Sequence, residues 1–163
     1  MDSRWKSIWE MKVPDKVKFF MWKAGNNLLA TRVNLFSKKV IENPICPICL
    51  KGEETIMHVL WHCPAAGDMW AESHRAIQKW GPLETDLLKL WKDLEGKLNK
   101  YELDGVAVIM RGLWMRRNKF IFDNKFLSPS SIIKYARESI EEYHAVEEGT
   151  VEQKSSRNGH HQE

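Results

Sequence analysis

Residues 46–63, CPICLKGEETIMHVLWHC, hold all three cysteines of a 163-residue chain. Cys46 and Cys49 stand two residues apart, His58 follows after a gap of eight, and Cys63 after a further four. Three readings compete for this pattern: a metal clasp, a redox dithiol with a bystander cysteine, or three buried thiols. A redox Cys-x2-Cys belongs in a βαβ setting, and the chain has no alternating strand pattern longer than a few residues. That reading also leaves His58 and Cys63 without a part. Buried inert thiols remain the bland alternative, because free cysteine is often simply core.

The metal reading uses every member of the set. Three thiolates and one imidazole are the donors of a closed, tetrahedral structural zinc site, with no position left open for catalysis. Two cysteines two residues apart can both turn inward from one tight loop, which Pro47 stiffens. His58 and Cys63 are close enough for one short helix and its end to supply both. His62 competes with His58 for the fourth position, but a histidine directly beside a ligand cysteine is awkwardly placed. One zinc bound at Cys46, Cys49, His58 and Cys63 is therefore expected, with folding of the segment coupled to the metal.

Working outward, helical spacing dominates. Trp5, Ile8 and Trp9 share a face; Pro14 suits a first turn, with Val17 and Phe20 behind it; Gly25-Asn26-Asn27 reads as a helix end, and Thr31 as a cap. Beyond the clasp, helices are expected on either side of Pro64 up to about Trp80, then from about Glu84 to Asn99. A buried helix through Leu103, Val106, Ala107, Met110, Leu113 and Trp114 follows, and then a last one from Ser128-Pro129 to about Val146. The fold class is mainly α: a small helical domain with a zinc-stapled loop, additional helices, and a polar tail from Gly149 that is expected to be disordered. Residues 1–80 would form the zinc-binding part, 81–148 a helical extension, and 149–163 the tail.

Composition agrees with a globular chain: 43% hydrophobic and 29% charged residues, with eight tryptophans to fill a core. There is no apolar run long enough to span a membrane and no secretory leader pattern, so a nuclear or cytoplasmic setting is expected. The net charge of +3 is unevenly spread. Residues 1–50 carry nine Lys/Arg against four Asp/Glu, and residues 111–137 seven against one. Two basic blocks suit a polyanion, or else are ordinary solvated helix faces.

The residues around the clasp carry a family resemblance. WKSIWEMKVPDKVKFFMWKAGNNLLATRVNL (residues 5–35) is similar to an opening of Trp-x3-Trp, Lys-x-Pro, Lys-Val-x2-Phe-x-Trp and Leu-x-Thr-x3-Leu. Together with Cys-x2-Cys, Glu-Thr-x2-His-Val-Leu-x2-Cys and Trp70, it resembles the zinc-binding domain downstream of reverse transcriptases in plant LINE-type (non-LTR) retrotransposons. Further on, Trp114, Arg117, Asn118 and Phe122 resemble a helix that links this domain to an RNase H domain. The resemblance implies polymerase and RNase H domains as neighbours in a parent polyprotein. Neither set of catalytic carboxylates is recognisable in these residues: the acidic run Glu138, Glu141, Glu142, Glu147 and Glu148 lies on one helix, and Asp104 is isolated. No enzymatic activity is expected.

Two functions remain from the sequence. The first is a non-catalytic module that binds single-stranded RNA or DNA, with Arg32, Lys38, Lys39, Lys51, Arg116, Arg117 and Lys119 on phosphates and Trp61 stacking on a base. The second is a zinc-stapled scaffold that engages protein, by self-association or with a partner, without touching nucleic acid.

Overall fold

The structure, a computed structural model, describes residues 3–73 and 86–158. A 3-10 turn at Ser3–Trp5 runs into α1 (Lys6–Trp9), followed by α2 (Asp15–Gly25) and α3 (Arg32–Ser37). The clasp segment ends in a π-helical turn at His58–His62, and α4 is Pro64–Ala71. Then come α5 (Leu87–Glu95), α6 (Lys100–Asp123) and α7 (Pro129–Asn158). Among the described residues the extended pairing is a single antiparallel bridge between Ile45 and Glu53. The mainly α class holds.

Local chemistry sets the ends of these helices. Thr31 Oγ1 accepts the Asn34 N–H at 3.3 Å and caps α3. Asp86 caps α5 through the Leu88 and Lys89 N–H groups. Asn99 and Glu102 form a reciprocal capping box that starts α6. α6 ends on Asn124, whose φ of 53° is left-handed, as asparagine tolerates.

Packing then follows spacing. On α2, Val17, Phe20, Met21 and Ala24 are buried; on α5, Leu87, Leu90, Trp91 and Leu94. α6 is the central helix and lies against α2, α5, α7 and the His58–His62 turn. It is buried on more than one side, as its sequence predicts. Val108, off the main apolar stripe, is fully buried, whereas Phe122 at the far end is exposed. Trp5 and Trp70 are core, while Trp9 and Trp22 pack against its edge. Trp5 lies so close to Gly25 that a Cβ there would run into the indole.

One contiguous core spans Trp5 to Ile140. The zinc-binding part and the helical extension thus pack on each other, and the expected boundary at residue 80 lies outside the described residues, as does Trp80. The last helix corrects the tail: its backbone stays helical to Asn158, well past Val146 and through most of the stretch expected to be disordered. That stretch is too polar to build a core, but Glu, Gln, Lys and Arg are good helix formers and can extend a helix already nucleated by packing.

α6 and α7 cross where Gly112 faces Ile132; a Cβ at residue 112 would come within 2.8 Å of the Ile132 Cγ2 methyl. Gly112→Val should therefore force the two helices apart and lower unfolding free energy by about 1–3 kcal/mol, as measured by urea denaturation of the metal-loaded protein.

Candidate metal centre

The clasp is built from two half-sites. The first is a knuckle. The Leu50 N–H reaches Cys46 O at 3.0 Å, and the Cys46 N–H reaches Gly52 O at 2.7 Å. Leu50 takes a left-handed φ of 59° to close the turn. Around it, the Glu54 N–H donates to Pro44 O beside the Ile45–Glu53 bridge, so the loop is a small pinned hairpin. Both thiols face inward from this frame.

The second half-site depends on an uncommon turn. Thr55 Oγ1 accepts the His58 N–H at 3.0 Å, and the Cys63 N–H bonds to His58 O at 2.8 Å, five residues back. In a regular α-helix a residue five positions on lies about 140° round the axis. The wider π turn brings Cys63 back toward the His58 side, which suits the x4 gap between these donors. Pro64 then starts α4 directly after Cys63.

The two halves converge. The sulfur atoms of Cys46, Cys49 and Cys63 and a ring nitrogen of His58 lie within 4.8 Å of one another. His58 Nε2 is 3.4 Å from Cys49 Sγ. A tetrahedral zinc with Zn–S near 2.3 Å holds its sulfurs about 3.8 Å apart, so the four donors need only a small contraction to close on one ion. His62 is exposed and outside this group, so the geometry offers His58 and not His62 as the imidazole. Cys46 and Cys63 are buried and Cys49 is half-buried, which leaves the centre shielded but reachable.

The titration of each donor is set by burial and by its neighbours in the group. A hydrogen bond with Cys63, reinforced by burial, pushes the Cys46 thiol up to about 11. The same interaction with Cys46 lowers Cys63 against the opposing effect of burial. Burial also pushes Cys49 upward, but the backbone of Lys51, His58 and the backbone of Gly52 together bring it below its usual value. His58 is raised, chiefly by its hydrogen bond to Cys46. A metal must displace these protons, so affinity rises with pH.

The candidate nucleic-acid contacts divide. Lys38, Lys39, Lys51 and Lys119 are exposed. Arg32 is half-buried and donates through Nε to Asn43 O at 3.0 Å. Three candidates are corrected. Trp61 is 7% exposed and packs at a tilt against Trp70 with ring centroids 5.0 Å apart, so it is core and no platform for a base. Arg116 and Arg117, 2% and 5% exposed, point into the protein. Arg117 forms a two-point ion pair with Glu54, Nη2 to Oε1 at 2.6 Å and Nε to Oε2 at 3.0 Å. Arg116 donates to Ala65 O at 3.0 Å and lies over the Phe126 ring. Sequence reasoning also missed Glu54, and it missed Phe36, an exposed aromatic just before Lys38 and Lys39.

Comparison with known proteins agrees with this geometry. Residues 1–70 match the family described as zinc-binding in reverse transcriptase. Over 70 residues the chain is 33% identical to an Arabidopsis thaliana protein named "Putative ribonuclease H protein". The match covers 43% of this chain and 11% of that relative, so the chain spans about a tenth of the relative's length. No solved structure matches. No helix among the described residues is long and apolar enough to cross a membrane.

The purified chain should carry one zinc by native mass spectrometry, and Cys49→Ser should lose it. Acidification should strip the wild type progressively, because thiolates and the imidazole take up protons as pH falls. Metal content unchanged from neutral pH down to about pH 4, below the usual range of an imidazole, would contradict the assignment.

Proposed function

We propose that the chain is a non-catalytic, zinc-stapled module of a retrotransposon reverse transcriptase whose clasp-side face binds single-stranded RNA or DNA. The observation that carries this reading is the exposed cationic rim on the metal unit. Lys38 and Lys39 close α3, and Lys51 stands on the tip of the knuckle. α3 is joined to the knuckle by the Val33 N–H to Glu54 O bond and by Arg32 to Asn43. Phe36 takes the stacking role that Trp61 cannot, being 47% exposed in the turn before Lys38. A positive rim beside an exposed aromatic is the usual surface for a single strand.

Two observations support the absence of catalysis. The donor set offers four protein atoms, enough to fill a tetrahedral ion's coordination with no position left open. The acidic run Glu138, Glu141, Glu142, Glu147 and Glu148 is exposed along α7, a solvated face. A plant LINE origin and RNase H and polymerase neighbours belong to the same proposal, drawn from the likeness of residues 1–70. A second reading, docking of a protein surface, is favoured by Ile121, Phe122 and Phe126, exposed around the end of α6.

Salt separates the two. Single-strand affinity should fall steeply with ionic strength. Lys38→Glu/Lys39→Glu/Lys51→Glu should flatten the log–log slope by about two, at ~0.7 for each phosphate no longer neutralised. Binding that ignores both salt and these substitutions would sink the nucleic-acid reading. Loss of self-association on Phe122→Ser would then favour the protein interface.

A further inference from the structure

The family match ends at residue 70, yet the metal unit does not. We propose that the metal centre is completed by α6, with Arg116 and Arg117 as positioning residues that hold the two half-sites in register. The inference rests on the zinc assignment above.

Each half-site is tied to one arginine. Glu54 sits in the eight-residue gap between Cys49 and His58, and its side chain is fully buried. Its Oε1 accepts from the Arg32 N–H at 2.9 Å as well as from Arg117. Its backbone N–H is bonded to Pro44 O, and its carbonyl to the Val33 N–H. Glu54 thus joins the knuckle, the N-terminus of α3 and α6 in one residue. Arg117 is held in turn by Asn118 Oδ1 at 3.0 Å and by the Trp114 ring. On the other side, Arg116 grips Ala65 O, two residues past Cys63. Neighbouring residues of one rigid helix therefore hold the chain ahead of His58 and the chain after Cys63.

The charges fit this role. A zinc with three thiolates and a neutral imidazole is a net monoanion, and burying it calls for a cation nearby. Arg116, buried and bonded to Ala65 O two residues past Cys63, is such a cation. Its Nε is buried with no acceptor among the described residues, an orphan donor beside a centre that becomes anionic on loading. Remove the Arg117 guanidinium alone and the Glu54 carboxylate stays buried without its cation, a strongly destabilising fault. Coupling is reciprocal, so a metal that orders the half-sites must also steady the middle of α6.

Zinc release to a chromogenic chelator is the test, on the full chain. Glu54→Gln and Arg117→Lys should each speed release by about tenfold or more, the range seen when ligand-supporting partners are removed. The double variant should do little worse than either single one, because the two residues act as a pair. Leu103→Ala, at the other end of α6, should lower stability yet leave release unchanged. Should the variants fold poorly, wild-type amide exchange gives the same answer: stripping zinc should speed exchange around residues 113–119 far more than around 100–106. Release rates equal to wild type, or exchange in α6 indifferent to metal, overturns the proposal while leaving the zinc assignment intact. A wild type with no zinc overturns both.

Discussion

Three thiols and an imidazole packed within 4.8 Å of one another are a poor way to spend a protein interior unless something binds them. Such groups carry little apolar surface, and two of the sulfurs here are buried. The contacts that raise Cys46 and His58 are, first of all, hydrogen bonds among the donors themselves. A single tetrahedral ion answers the whole set at once, and folding of the segment is then tied to its binding. The pinned knuckle, the π turn and the start of α4 directly after Cys63 all make sense as ways of aiming donors at one point.

Around that point the fold is helical and conventional in its logic. Apolar residues at helical spacing on α2 and α5 meet the central α6. Polar details then fix how the pieces seat: Trp91 Nε1 donates to Ser7 Oγ at 3.0 Å, and Trp70 Nε1 to Leu60 O at 2.9 Å, so buried indoles keep their N–H groups satisfied. Ser7 in turn donates to the Glu95 carboxylate, linking α1 to α5.

Spacing made most of this legible. Cys46, Cys49, His58 and Cys63 could be picked out because metal donors obey short-range geometry, and the helices because burial imprints a 3.6-residue period. What stayed hidden involved partners far apart in sequence. Arg117 and Glu54 are 63 residues apart. A charged pair of arginines looks like surface until its carboxylate and carbonyl partners are seen. Trp61 was misread for a related reason: standing beside the clasp in sequence says nothing about which way a ring faces, and Trp70 claims it for the core. The π turn at His58–His62 left only a faint trace, the x4 gap that a regular helix serves badly. The tail was misjudged because lack of a core is not lack of helix.

The central claim is that Cys46, Cys49, His58 and Cys63 bind one zinc as a closed set. X-ray absorption at the zinc edge of the purified full chain tests it most directly. The account predicts a four-coordinate shell of three sulfurs at about 2.3 Å and one nitrogen at about 2.0 Å. A shell dominated by oxygen and nitrogen, an open position filled by water, or protein that folds fully without zinc would contradict it.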